Sequence, residues 1–319
     1  MKDFALARLV AMRLGLGLVS LLLVSLAVFA ITSLLPGDVA QELLGQAATP
    51  EAVAGLRASL GLDQPGWLRY LHWLGALFTG DAGKSLVNGQ PVVALIGSRL
   101  PNSLMLAAAT ALVSVPLALC IGITAAMWRG SFYDRLVSTL TVSVVSVPEF
   151  LVATAAVLVF AVHLRWLSAL SSVSSIDGIV SFLRVFAMPV LSLCCVIVAQ
   201  MVRMTRAALI DQLRAPYVEM AILKGAGPVR VIWSHALPNA LGPIANAIAL
   251  SLSYLLGGVI IVETIFNYPG IAKLMVDGVS TRDMPLVQAC AMIFCAAYLF
   301  LVLAADLCAI LSNPRLRHR

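Results

Sequence analysis

The 319-residue chain is 61% hydrophobic and only 11% charged, with a mean hydropathy of +0.99. Soluble domains carry about 25% charged and roughly 45–50% apolar residues, so a soluble enzyme, a disordered chain and a collagen-like chain are all excluded. The net charge of +6 would suggest nucleic acid on a soluble protein; on a membrane protein it matters through where the basic residues sit.

A helix needs about 20 apolar residues to cross a bilayer. In chain order, six stretches meet that length: 14–35, 100–128, 136–162, 185–202, 231–262 and 284–305. Glu149 is the one charge among them. The first part of 231–262 reads as something other than a span. Helices bond their backbones internally, as lipid demands, whereas a barrel predicts alternating segments of about ten residues, and none is visible. The first stretch is longer than the roughly 7–15 apolar residues of a signal peptide, so it reads as a retained helix. The expectation is an all-α polytopic membrane protein with six transmembrane helices.

Residues 36–99 form the longest segment between spans and read as structured. Thr49-Pro50-Glu51 is a helix start, with a capping hydroxyl, proline at the first helical position and a carboxylate at the dipole's positive end. Val53, Leu56 and Leu60 share a face, and Gly61 is a stop. A second helix over 67–78 holds Trp67, Tyr70, Trp73 and Phe78, a composition that favours the membrane–water interface. The segment reads as a small helical cap near the outer surface. Gly80-Asp81-Ala82-Gly83-Lys84-Ser85 ends like a phosphate-binding loop. However, Phe78 or Thr79, not glycine, stands where that loop's first glycine belongs, and no strand precedes it. It reads as a turn. His72 and His163 are isolated and read as interfacial.

With the N-terminus inside, thirteen basic and five acidic residues fall on the inner side, and eight basic and nine acidic residues on the outer. That bias places both termini in the cytoplasm. All six cysteines lie in apolar stretches with no metal or redox spacing, and read as packing residues.

The informative segment is 203–246. Arg203, Arg206 and Arg214 mark the inner boundary. Pro216 breaks the helix, and Glu219 opens a short helix with a carboxylate in its first turn. Gly225, Gly227 and Pro228 punctuate the chain. A second short helix runs over 229–235, and Leu237-Pro238-Asn239 ends it. An ordinary loop would be polar, but Ala221, Ile222, Leu223, Val229, Val231, Ile232 and Trp233 make an apolar patch of the kind that docks partners.

No catalytic set is present: there is no His-Glu-x-x-His, no Gly-x-Ser-x-Gly and no paired intramembrane acids, which disfavours an intramembrane enzyme. A secondary transporter would carry coupling acids and repeats, and neither is seen. Glu149 follows Pro148, which can kink the helix. As an intramembrane charge it is a candidate for the translocation path, with Asn246 a weaker one. Ser143, Ser146, Ser251 and Ser253 read as helix-packing residues.

Glu219-Met220-Ala221, Gly225 and His235-Ala236-Leu237-Pro238, with Asn239, resemble the signature loop of ABC importer membrane subunits, in its dipeptide/oligopeptide/nickel form. Met220 replaces an alanine, and His235 an isoleucine of the general pattern. Leu35-Pro36-Gly37-Asp38, Leu60-Gly61-Leu62-Asp63-Gln64-Pro65, the Gly80–Ser85 turn, Glu263-Thr264-Ile265-Phe266-Asn267-Tyr268-Pro269-Gly270, Arg282–Gln288 and Asn313-Pro314-Arg315 are similar to further motifs of that subfamily, in order along nearly the whole chain. The resemblance implies a permease with a tail and first helix (1–35), an extracytoplasmic helical segment (36–99) and a transmembrane core (100–319). Within that core a cytoplasmic coupling-helix loop lies at about 211–240. It further implies Glu219, Ala221, Gly225, His235, Leu237, Pro238 and Asn239 as ATPase-coupling residues, and no cofactor in this chain, ATP and Mg being bound by partners. The implied partners are a second homologous permease, two ATPase subunits or domains and an extracytoplasmic substrate-binding protein, with lipid around the spans, no nucleic acid, and a bacterial cytoplasmic (inner) membrane location. The implied cargo is a peptide or similar small solute; nickel chelates, opines, glutathione and oligosaccharides fit the same architecture.

Overall fold

A computed structural model describes residues 2–34, 41, 44–59, 61–171 and 178–312. The Pro36-Gly37-Asp38 and Asn313-Pro314-Arg315 motifs, and Leu60, lie outside the described residues. Among those residues the chain is helical throughout its regular structure, apart from one antiparallel bridge between Lys84 and Pro91. The long helices are α1 (Lys2–Ser33), α4 (Val92–Met127), α7 (Ile179–Leu213), α9 (Pro228–Ile265) and α11 (Met284–Ser312). Shorter ones are α2 (Pro50–Ser59), α3 (Gly66–Phe78), α5 (Phe132–Val145), α6 (Glu149–Ala156), α8 (Pro216–Leu223) and α10 (Ile271–Ser280). Among the described residues five helices are long and apolar enough to cross a membrane, and α5 with α6 make a sixth as a broken span.

One expectation is sharpened and one needs correction. The kink expected at Pro148 within residues 136–162 is a break, where α5 and α6 meet at a 97° bend. Pro148 sits in an extended conformation at the break, where its ring and missing N–H prevent the helix from running through. Secondly, Leu237-Pro238-Asn239 does not end a helix. The backbone continues from Pro228 through a π-helical turn at Val231–Ala236 into Leu237–Ile265. The wider i→i+5 turn immediately before Pro238 accommodates a residue with no N–H to donate.

The chain divides into two compact units. The larger comprises Leu104–Pro269 and pieces near both ends of the chain. Its hub is α7, which packs against α5, α6 and α9. Leu209, Ile210, Ile232, Ala236, Ala240 and Ile244 form a core there with Ala126. Gly122 of α4 lies so near α7 that a Cβ would stand 2.9 Å from the Thr205 Cβ, a small-residue contact of the type that lets membrane helices approach. Asp134 at the start of α5 accepts from the Arg206 guanidinium at 2.6 and 2.9 Å and from the Gly130 N–H at 2.9 Å. After α9 the chain turns sharply: the Tyr268 N–H donates to the Glu263 carbonyl at 2.8 Å. Glu263, Phe266 and Tyr268 are fully buried there.

The second unit comprises Leu16–Ser103 and Gly270–Ala297. The Thr49 hydroxyl accepts from the Ala52 N–H at 3.2 Å, so the expected cap of α2 is present. Gly61 follows with φ +64°. The Tyr70 and Trp73 rings of α3 pack on Phe29 of α1, with centroids 5.5 and 5.8 Å away, and Tyr70 shares a hydrogen bond with Ser25 at 2.8 Å. The aromatic helix is thus anchored to the first span through one face. Val92, Ile96, Ile271, Leu286, Ala289 and Cys290 form this unit's core. The Gly80–Ser85 turn is closed by Asp283, which accepts from the buried Ser85 hydroxyl and, at 3.1 Å, from the Leu86 N–H. The Ser85 side chain is therefore a tie between two distant motifs, which accounts for it without any phosphate.

Candidate functional site

The 214–239 connection is built by local rules. Pro216 takes the first helical position of α8, where its lack of a donor costs nothing, and Glu219 lies in the first turn. Gly225 has φ +85°, a conformation open to a residue without Cβ. Its N–H donates to the Ile222 carbonyl at 2.9 Å, and the Ala226 N–H donates to the Ala221 carbonyl at 3.1 Å. These two bonds together form a Schellman closure. Pro228 then starts α9. The Asn239 side chain donates to the His235 carbonyl at 2.8 Å, bracing the π-helical turn across Pro238.

Helix α8 packs against that turn and presents two faces. Val218 and Ala221 are buried, while Glu219, Met220, Ile222 and Leu223 point outward, Leu223 being 74% exposed. Val229 and Trp233 are exposed beside them, and Arg214, Lys224 and Arg230 are exposed around the patch. The result is an apolar surface with a polar rim, held in place by two buried side chains. His235 and Leu237 are half-buried, and Pro238 is exposed. The expected loop residues are therefore brought together on one connection, although Ala221, like Val231 and Ile232 of the expected apolar patch, faces inward and supports it.

The other expected residue, Glu149, lies elsewhere in the same unit. It is the first residue of α6, beside the break. Its carboxylate rests on Gly258 of α9: a Cβ at that glycine would stand 2.5–2.9 Å from the carboxylate atoms. A cavity of about 340 Å³ opens there, reached by Gln200 of α7 and by Ser251 and Tyr254 of α9. Ser251 is buried, and its hydroxyl has no hydrogen-bond partner among the described residues. Asn246 is half-buried on α9 and does not line this cavity.

Comparison with known proteins decides the family. A model described as binding-protein-dependent transport system inner membrane component matches residues 118–318, and one for the N-terminal part of such membrane components matches 6–107. The chain belongs to this family of ABC importer permeases. It is 33% identical over 296 residues to a protein of Sinorhizobium fredii named as a probable peptide ABC transporter permease, covering 93% of this chain and 95% of that one. It is 35% identical over 305 residues to the glutathione transport system permease protein of Salmonella typhimurium, covering 95% and 97%. The Escherichia coli K12 protein of the same name gives the same identity and coverage.

The permease is thus a multi-pass inner-membrane transport subunit of the dipeptide/oligopeptide type, and its motifs acquire structural roles. Glu263–Gly270 is the turn that closes α9, and Asp283 of the 282–288 motif ties down the Gly80–Ser85 turn. Sequence reasoning missed Gly258 and Gln200 as neighbours of Glu149, and it placed Ser251 among packing residues. The adjacent pair Gly257-Gly258 in an otherwise bulky apolar run was the available signal, since glycine marks close approach.

Proposed function

We propose that this permease forms half of the translocation pathway of an ATP-driven importer for peptides or similar small solutes. A second homologous permease forms the other half. ATP and Mg are held by two partner ATPase subunits or domains, and an extracytoplasmic binding protein delivers the cargo. Both termini lie in the cytoplasm, so α8 faces the ATPases. The observation that carries this reading is the exposed apolar face of α8, with Glu219 at its start and Gly225 at its end. Such a face suits a groove on a cytosolic partner. Coupling then works by rigid-body transmission: closure of the ATPase dimer moves α8, and the π-helical turn carries the motion into α9. Peptide and glutathione names among the relatives support a small cargo with peptide bonds. The cap over 49–78 offers the surface for the binding protein.

Glu219→Arg and Gly225→Asp test the coupling role. Each is expected to lower uptake more than tenfold while cargo still binds the extracytoplasmic receptor. Wild-type uptake by either mutant in cells would refute the assignment.

A further inference from the structure

Glu149 sits where a charge is costly. An ionisable side chain within a span faces a cavity or a partner group, and here it faces a cavity of about 340 Å³. That volume falls within the roughly 300–1,000 Å³ of small-molecule sites. Among the described residues the carboxylate has no hydrogen bond or salt bridge, and no Lys or Arg lines the cavity. The break at Pro148 places Glu149 at the start of α6, where the helix dipole favours negative charge. The cavity wall also includes Ser251, which is 1% exposed and whose buried hydroxyl has no partner among the described residues. Gln200 adds a carboxamide oxygen.

These three acceptors, with the Tyr254 side chain beside them, line one small space and suit a cation that only donates. A primary ammonium has three N–H donors and no acceptor. The carboxylate of Glu149, the hydroxyl of Ser251 and the carboxamide oxygen of Gln200 can each accept one of them. A neutral amide would leave the carboxylate uncompensated, and a carboxylate would be repelled by it. We propose that this cavity is a cargo subsite for a primary ammonium group, with Glu149 as its counter-charge. The inference rests on the reading of the chain as half of a translocation pathway and adds the chemical class of the group handled there. Gly258 is part of the device, because only a residue without Cβ lets the carboxylate lie against α9.

The test uses the complete importer, with partner permease, ATPases and binding protein, in proteoliposomes loaded with ATP. A mixture of dipeptides with free amino termini is supplied together with the same mixture N-acetylated. Accumulation is read by mass spectrometry, and binding-protein-stimulated ATP hydrolysis is measured in parallel. Wild type is expected to accumulate the free-amino set. Glu149→Gln should lower that accumulation about tenfold while stimulated hydrolysis stays within twofold of wild type. Glu149→Asp, which keeps the charge, should retain more than half of it. Gly258→Ala keeps Glu149 but displaces its carboxylate, and should fall with Glu149→Gln. The proposal is overturned by Glu149→Gln at wild-type accumulation, by loss of stimulated hydrolysis along with uptake, or by a wild type that hydrolyses ATP on stimulation and takes up no free-amino dipeptide. Absence of any stimulated hydrolysis in wild type would instead overturn the importer reading itself.

Discussion

The Asp134 carboxylate does two things. It accepts from Nε and Nη2 along one edge of the Arg206 guanidinium and from the Gly130 N–H, while the backbone N–H of Asp134 donates to the Ser131 hydroxyl at 3.2 Å. The side chain is almost fully buried, whereas Arg206 keeps about a quarter of its surface in contact with the surroundings. Removing the arginine therefore leaves a buried carboxylate without its counter-charge, which typically costs about 3–5 kcal/mol. Arg206→Ala is expected to lower the thermal unfolding temperature of the detergent-solubilised complex clearly. The double replacement Arg206→Met with Asp134→Asn should recover part of that loss, because no uncompensated charge remains. A double mutant less stable than Arg206→Ala would contradict this account. The basic cluster at 203–214 was legible as a boundary marker. That one of its members is clasped by Asp134 was not, because the partner lies in another helix.

At the scale of elements, local chemistry was a good guide where it acts within a few residues. The Thr49 cap forms as expected, Pro216 interrupts the helix as expected and also begins the next one, and Gly225 makes the expected turn, since each depends on one side chain or one φ angle next to the helix end. The fate of Pro238 was misread because proline ends a helix only if the backbone cannot widen locally, and here a π-helical turn does so. Helix α3 shows how packing divides a surface that composition alone could not. Tyr70 and Trp73 are spent on Phe29, whereas Trp67, Leu71 and Phe78 remain exposed. If the exposed face receives the binding protein, Trp67→Asp with Leu71→Asp should reduce binding-protein stimulation of ATP hydrolysis at least fivefold and leave basal hydrolysis unchanged. Full stimulation in the double mutant would assign that face to lipid.

For the whole molecule, the charge distribution predicts orientation. Lys84 and Lys273 belong to the outer set and Lys224 to the inner one. A membrane-impermeant amine reagent applied to intact spheroplasts should modify the first two and spare Lys224, and inverted vesicles should show the opposite pattern. Labelling of Lys224 in spheroplasts would reverse the topology and remove α8 from the cytoplasm.

Membrane class, helical content, span number and family were determined by the sequence itself. The free energy of transferring each residue into lipid is nearly local, and it accumulates along a stretch regardless of what that stretch later touches. Pro148 marked the bend in the third span, but only the tertiary structure decided its size of 97°, that α8 turns Met220 and Leu223 outward over a buried Ala221, and that the Glu149 carboxylate comes to rest on Gly258. The last two outcomes depend on which backbone approaches which side chain from a different helix: the Gly257-Gly258 pair signals a close approach, but nothing along the chain names the partner.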